Sequence, residues 1–114
     1  MSGLMQLYGK PRKYRNVPTV IDGHRFDSKR EAARWSELNL LVRAGEITGL
    51  ERQVRFPLTV NGVTVAHYVA DYVYRDHQDR RVVEDVKSEI TRKDPTYRLK
   101  AKLMAVLHQQ IVEV

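Results

Sequence analysis

The chain has 114 residues, of which 42% are hydrophobic and 30% charged, a composition typical of one globular domain rather than of a disordered chain. Its 20 Lys and Arg residues outnumber its 14 Asp and Glu residues, and the resulting formal charge of +6 favours an anionic partner, with nucleic acid first. Disulfides and thiolate metal sites are excluded because there is no cysteine. No signal peptide and no apolar run of the roughly 20 residues needed to cross a bilayer is found, so we predict a cytoplasmic protein without membrane association.

A basic segment opens the chain. Residues 1–16 show no apolar periodicity and are predicted to form an irregular N-terminal arm. Its cations are Lys10, Arg12, Lys13 and Arg15. Two interpretations stay open, because such an arm either contacts DNA phosphates or is a solvated tail without a specific contact. Residues 17–114 are predicted to form a single domain.

The domain starts with a short hairpin and a helix. The Asp22-Gly23 pair favours a tight turn, which predicts a hairpin over residues 17–26. Ser28 is a typical helix N-cap, and Gly45 is typical of the residue just past a helix end. Together they predict a helix over residues 28–44.

One face of this helix is predicted to pack on the core. Its apolar residues at helical spacing are Trp35, Leu38, Leu41 and Val42. Glu31 precedes Trp35 by four residues and therefore lies on the same face. Ser28 and Glu31 also fit a capping box, in which the glutamate side chain returns to the N-cap amide. Both interpretations stay open, and we favour a carboxylate directed at the sheet.

Three strands are predicted to follow as a meander. The first covers residues 50–58, and the Asn61-Gly62 pair then favours a hairpin turn. The second strand covers residues 64–74. A polar turn at residues 76–80 leads into the third strand at residues 81–87. Strand alternation places Tyr68, Tyr72 and Tyr74 on one face, where we expect them to cover the core.

A second helix and a last strand complete the predicted domain. Asp94 followed by Pro95 is typical of a helix start, and the helix is predicted to continue to about Gln109. Its predicted apolar face consists of Leu99, Leu103, Val106 and Leu107. Residues 111–114 form the final strand. This order predicts an α/β fold in which helices flank a mixed sheet.

Two of the predicted strands carry acidic residues and a lysine. Asp71 interrupts a run of Val, Ala and Tyr in a strand interior, where aspartate is uncommon and a buried carboxylate needs a cation or hydrogen bonds. Asp85 and Lys87 are two residues apart and project from one strand face, whereas Glu84 projects from the other. The alternative is ordinary ion pairing, in which an exposed Asp-Lys pair contributes about 1 kcal/mol or less. We favour a site where two aspartates hold a divalent cation beside a phosphate and a lysine assists.

Other polar residues are predicted to support this site. Gln53 lies on the neighbouring strand and is expected to contact the acidic residues without binding the metal. A set of cations near the second helix is expected to follow a DNA backbone, although each of them alone is more often a solvated surface residue. This set is Arg92, Lys93, Arg98, Lys100 and Lys102.

These segments resemble the PD-(D/E)xK nuclease superfamily, whose core has the element order αβββαβ. The resemblance is closest to a family of small phage-encoded proteins of unknown function that are similar to Holliday junction resolvases. It extends over nearly the whole chain, from about residue 13 to 108. The segments that carry it are residues 26–32, 50–53, 68–72, 83–87 and 99–103.

The resemblance implies a role for each residue of the site. Asp71 and Asp85 would ligate Mg²⁺ or Mn²⁺ with help from the Val86 carbonyl. Glu31 would supply a further acid from the helix, and Lys87 would be the catalytic lysine. The family's Pro-Asp pair is Ala-Asp at residues 70–71 here, and Ser88 stands where the closer family is expected to have glycine.

The function implied is that of a homodimeric, Mg²⁺-dependent, structure-selective DNA endonuclease acting on branched DNA such as four-way junctions. Paired cuts on two strands require two sites, and one chain of this size offers one. Two alternatives stay open. One is a nicking or restriction-like endonuclease without junction preference, and the other is a catalytically silent DNA-binding module of the same fold.

Overall fold

The computed structural model describes residues 19–21 and 23–114, so the predicted basic arm at residues 1–16 and Asp22 of the predicted turn lie outside the described residues. The described chain is a mixed α/β fold. Its elements are β1 (Thr19–Ile21), β2 (His24–Phe26), α1 (Lys29–Arg43), β3 (Thr48–Val60), β4 (Val63–Arg75), β5 (Arg81–Asp85), α2 (Glu89–Arg92), α3 (Pro95–Leu107) and β6 (Val112–Glu113).

The main sheet has four strands in the order β3-β4-β5-β6. The first three strands are antiparallel neighbours, whereas β6 runs parallel to β5, which confirms the predicted mixed sheet. β1 and β2 form a separate antiparallel pair. Two core clusters result, one that includes residues of α1 and one that includes residues of α3. No helix within the described residues is long and apolar enough to span a membrane.

The first predicted helix is confirmed at both ends. The Ser28 hydroxyl caps α1 by accepting a hydrogen bond from the Glu31 amide at 3.1 Å, and Gly45 follows the helix with a φ of 76°. Leu38 is fully buried on the core side. The prediction for Val42 is wrong, since that side chain is 38% exposed. Leu38 and Leu41 form the side of α1 that packs on the core, and Val42 lies at the edge of that side.

The hairpin of β3 and β4 is longer than predicted, and its turn is as expected. Asn61 and Gly62 both have positive φ, at 51° and 79°, as a two-residue hairpin turn of type I′ requires. The three tyrosines are buried in the core as predicted, but the prediction of one shared face is wrong: Tyr68 belongs to the α3 cluster, whereas Tyr72 and Tyr74 belong to the α1 cluster. The tyrosines of β4 switch from one cluster to the other opposite Gln53 of β3, whose φ of 53° interrupts the extended backbone.

β5 ends at Asp85, two residues earlier than predicted. Its last backbone pair with β4 joins Glu84 to Tyr72, and beyond it the two strands part. The Val86 amide then donates to the Asp71 carboxylate at 2.8 Å instead of to a strand carbonyl. Val114 holds the segment that follows, because its carbonyl accepts from the Lys87 amide at 3.1 Å.

The second predicted helix is confirmed, and its core face is confirmed in part, since Leu103 and Leu107 pack against the α3 cluster. The Asp94 carboxylate caps α3, which ends at Leu107 rather than at Gln109. Leu99 and Val106 were predicted to face the core, yet they are 60% and 81% exposed. The buried residues are Tyr97 and Met104, seven positions apart. At 100° per residue, Leu99 points about 200° away from Tyr97, which places it on the opposite side of the helix.

The short helix α2 precedes α3 and was not predicted. Ser88 caps it in a reciprocal arrangement with Thr91, whose hydroxyl accepts from the Ser88 amide at 2.9 Å. The final strand β6 contains only two of the four residues predicted for it. Its Val112 and Glu113 pair with Glu84 and Asp85 of β5.

Candidate active site

A cleft of about 450 Å³ opens where β4 and β5 part. The N-terminal residues of α1, α2 and α3 line its other sides. The cleft brings together the predicted catalytic residues and one of the predicted DNA-binding residues. These are Glu31, Asp71, Asp85, Val86, Lys87 and Lys100.

The two aspartates face each other across the opening between the strands. Asp71 is fixed by the Val86 amide, which donates to its Oδ2 at 2.8 Å. Asp85 is buried, and the Tyr68 hydroxyl donates to its Oδ2 at 2.5 Å. The Asp71 carboxylate lies beside that of Asp85 and raises its pKa. Two acidic groups are therefore held together in a poorly solvated place.

Burial and mutual repulsion both raise the pKa of acidic side chains in this cleft. Burial raises the pKa of Asp85, and the neighbouring Asp71 raises it further. Burial also raises the pKa of Glu31 to about 7, with Asp71 and Asp27 adding to the effect, while Arg52 and Lys87 lower it. The Asp and Glu residues that line the cleft outnumber its Lys and Arg residues, and a bound cation would offset that excess of acidic groups.

Glu31 makes only half of the predicted capping box. Its amide binds Ser28, but its carboxylate is buried and turns toward the sheet. There its Oε2 accepts from Gln53 Nε2 at 3.2 Å and lies 3.9 Å from Arg52 Nη2. Gln53 Nε2 also lies 3.4 Å from Asp71 Oδ1. Gln53 therefore bridges the helix acid and the strand acid, as expected of a supporting residue.

Lys87 lies just beyond the end of β5. Its ammonium is 3.4 Å from Asp85 Oδ1 and 4.1 Å from the centre of the Tyr97 ring. The side chain is 18% exposed, so the ammonium is partly withdrawn from water. Asp85 and Lys87 are therefore together, as strand alternation predicted, although Lys87 is outside the strand itself.

Glu84, the competing carboxylate, does not line the cleft. It is buried and accepts two hydrogen bonds from Arg34 of α1, from Nε at 2.9 Å and from Nη2 at 2.6 Å. The Tyr74 hydroxyl donates to the same carboxylate. Glu84 therefore ties α1 to β5, and the choice of Asp85 over Glu84 agrees with this geometry.

The predicted DNA-binding residues are dispersed. Lys100 lines the cleft, whereas Lys102 lines a separate cavity beside α3. Arg92 is paired with Glu113 at 3.0 Å, and neither Lys93 nor Arg98 is among the residues that line the cleft. The cations Lys10, Arg12, Lys13 and Arg15 lie outside the described residues.

Sequence reasoning missed several residues that line the cleft, among them Arg30 and His67. Each of these two had a detectable signal. Arg30 directly precedes Glu31 at the start of α1. His67 precedes Asp71 by four residues in β4, so strand alternation would have placed both on one face.

The donors in the cleft suit a hard divalent cation. Carboxylate oxygens are ligands that Mg²⁺ and Mn²⁺ prefer, and Asp71 and Asp85 both line the cleft. Val86, whose carbonyl was predicted to assist them, lines it as well. Within residues 19–21 and 23–114, no group of three or more His, Asp or Glu side chains is already gathered around a common point. Glu31 reaches Asp71 through Gln53 rather than by direct contact.

The fold and the cleft define a class of protein: a mixed α/β domain with paired carboxylates and a lysine where two strands of its sheet part. Residues 11–113 match the model of a family described as a protein of unknown function, DUF1064. The match covers most of the chain, and the protein belongs to this family. Searches of curated proteins and of solved structures gave no significant match.

Proposed function

We propose that this protein is a metal-dependent DNA endonuclease of the PD-(D/E)xK type. The observation that carries the proposal is the convergence of Asp71, Asp85 and Lys87 in one cleft, with Glu31 joined to them through Gln53. The order α1, β3, β4, β5, α3, β6 supports it as well, since it matches the αβββαβ order of that superfamily's core. The basic net charge of +6 supports a nucleic acid as the substrate.

Asp71, Asp85 and the Val86 carbonyl would hold Mg²⁺ or Mn²⁺, and Glu31 would supply a further acidic ligand. Such an ion, when bound, polarises a phosphate oxygen and lowers the pKa of a coordinated water. Tyr68 fixes one oxygen of Asp85 through a hydrogen bond of 2.5 Å, which restricts the orientation of this carboxylate.

The remaining groups of the cleft bind and orient the DNA backbone. The Lys87 ammonium, 3.4 Å from Asp85 Oδ1, stabilises negative charge that develops on the scissile phosphate. Gln53 orients the carboxylates of Glu31 and Asp71. Arg30 and Lys100 line the same cleft and neutralise the phosphates on either side.

We further propose that the substrate is branched DNA, such as a four-way junction, and that the enzyme acts as a homodimer in the cytoplasm. The resemblance to resolvases supports the substrate. A dimer is supported because symmetrical incision of two strands requires two such clefts, and each chain supplies one.

The test is a cleavage assay on a labelled four-way junction and on a linear duplex of the same sequence, each with Mg²⁺ or EDTA. We expect metal-dependent cleavage of the junction in preference to the duplex. Asp71→Asn and Lys87→Ala should lower the rate by about 10²-fold or more while DNA binding persists. Glu46→Gln, at an exposed position, is the matched control and should cleave normally.

One observation favours the alternative of a silent DNA-binding module. Each of the three candidate catalytic carboxylates already has a partner from the protein itself: the Val86 amide for Asp71, Tyr68 for Asp85 and Gln53 for Glu31. Binding without cleavage of either DNA, at any divalent metal, would establish this alternative. Equal cleavage of junction and duplex would establish a nuclease without junction preference.

A further inference from the structure

We infer that Tyr97 is a positioning residue for Lys87: the face of its ring, anchored by Glu113 of β6, holds the Lys87 ammonium beside Asp85. The inference rests on the proposed function, in which Lys87 is the catalytic lysine. It concerns how that lysine is held in place.

Lys87 needs such support because of its position in the chain. It follows the last residue of β5 by two positions and lies beyond the last pair of β5 with β4. Its amide donates to the Val114 carbonyl at 3.1 Å, but a lysine side chain has four rotatable bonds beyond its backbone. Its ammonium has two contacts on the cleft wall, Asp85 Oδ1 at 3.4 Å and the Tyr97 ring centre at 4.1 Å.

Tyr97 is suited to this task because its ring is fixed from several directions. Its amide is tied to the Asp94 carboxylate at the start of α3, at 3.0 Å. The ring is buried in the α3 core cluster. Its hydroxyl donates to Glu113 Oε2 at 2.5 Å, and the other oxygen of Glu113 is 3.0 Å from Arg92 Nε. The ring therefore joins the last strand to the cleft.

The physical basis is the attraction of a cation to the electron-rich face of an aromatic ring, which acts within about 6 Å of the ring centre and strengthens when water is partly excluded. Both conditions hold for Lys87. The contact with Asp85 weakens as that carboxylate shares its charge with a bound cation. The ring carries no formal charge and keeps its attraction for the ammonium, so Tyr97 is the contact that persists during the reaction.

The first experiment measures the position of the lysine directly, without DNA and without metal. Full-length protein carrying ¹³C-labelled lysine is examined by NMR, and the Lys87 Cε–Hε signal is assigned by its loss in Lys87→Arg. Protons over a ring face shift upfield. We expect an upfield Lys87 signal in wild type and in Tyr97→Phe, and a signal among those of exposed lysines in Tyr97→Leu. An unchanged Lys87 signal in Tyr97→Leu would overturn the inference.

The second experiment separates positioning from stability in the cleavage assay. Tyr97→Leu should lower kcat by about tenfold while KM stays within about twofold, and Tyr97→Phe should restore kcat to within about threefold of wild type. Met104→Ala is the matched control, because it truncates another buried residue of α3 in the same core cluster. It should lower stability and leave kcat unchanged at temperatures where the protein is folded.

Two results of the cleavage assay would contradict the inference. One is an equal loss of kcat in Tyr97→Phe and Tyr97→Leu. The other is an equal loss in Met104→Ala. Failure of the proposed function is distinguishable from either, since a wild-type protein that cleaves no DNA refutes the nuclease while the NMR comparison still decides whether Tyr97 holds Lys87.

Discussion

The backbone amide of Val86 donates a hydrogen bond to the Asp71 carboxylate at 2.8 Å, in the place where the ladder between β4 and β5 ends. A side chain thus replaces a strand carbonyl as the acceptor. Beyond this hydrogen bond the two strands separate, and the cleft between them has acidic groups on both of its sides.

The first prediction concerns Glu31 and the pH dependence of stability in EDTA. Burial raises the pKa of Glu31 to about 7, whereas an unfolded glutamate titrates near 4.3. The folded state therefore binds the proton more tightly, and wild type loses stability as pH rises between these two values. Glu31→Gln removes the loss, so it should become more stable than wild type by roughly 3 to 4 kcal/mol at pH 8 and show no advantage at pH 4.

Chemical unfolding at a series of pH values measures this difference. Glu46→Gln, whose glutamate is exposed, should follow wild type at every pH. A constant difference between Glu31→Gln and wild type across the range would contradict the raised pKa.

The second prediction concerns the metal. A cation that binds the folded protein alone raises its stability, by about 2.7 kcal/mol when the free ion is at 100 times its Kd. We expect Mg²⁺ and Mn²⁺ to raise the melting temperature of wild type, and both Asp71→Asn and Asp85→Asn to abolish the increase. Asp79→Asn, on the exposed turn after β4, is the control that should respond as wild type does. An equal increase in all four proteins would indicate binding elsewhere.

The third prediction concerns the ion pair of Arg34 and Glu84, which joins α1 to β5. Glu84→Gln leaves the partly buried guanidinium without its counter-charge and should cost about 3 kcal/mol. The paired replacement Arg34→Met with Glu84→Leu should recover part of that loss, because it leaves no charge unpaired, although the Tyr74 hydroxyl loses its acceptor. Glu37→Gln removes the exposed partner of Arg34 and should cost about 0.5 kcal/mol or less. Denaturant unfolding measures the free energy of unfolding of wild type and of the three variants. A double variant as unstable as Glu84→Gln would contradict the prediction.

The fourth prediction concerns DNA contacts along α3. Lys100 lines the cleft and Lys102 lines a different cavity, although they are two residues apart. Lys100→Ala should weaken DNA binding and reduce the slope of log affinity against log salt by about 1, whereas Lys102→Ala should change neither. Fluorescence anisotropy at several salt concentrations provides both quantities. A matching loss in the two variants would mean that DNA does not enter this cleft.

Sequence reasoning worked best where the physical signal is local. Ser28 and Asp94 both cap the helices predicted for them, and the Asn61-Gly62 turn has the backbone that its sequence favours. Alternation along β5 also separated Asp85 from Glu84 correctly. Each of these signals acts within one turn of helix or between adjacent strand residues, so no knowledge of the rest of the fold was required.

Sequence reasoning failed where the result depends on what packs against an element. Leu99 and Val106 are apolar, yet they are exposed because Tyr97 and Met104 take the side of α3 that meets the sheet. The three tyrosines of β4 divide between two clusters because the strand changes side at Asp71, opposite the irregular backbone of Gln53. Helical or strand periodicity alone contains neither fact.

Apart from the short helix α2, the sequence by itself determined the order of the elements, and it determined the basic charge and the acidic residues of the candidate site, since those depend on residue type and short spacing. Only the tertiary structure decided that Gln53 joins Glu31 to Asp71, that Arg30 and His67 line the cleft, and that Tyr97 lies under Lys87. These contacts link different elements of the fold. Their formation depends on how the helices are seated on the sheet, which is set by the burial of the whole core rather than by any one segment.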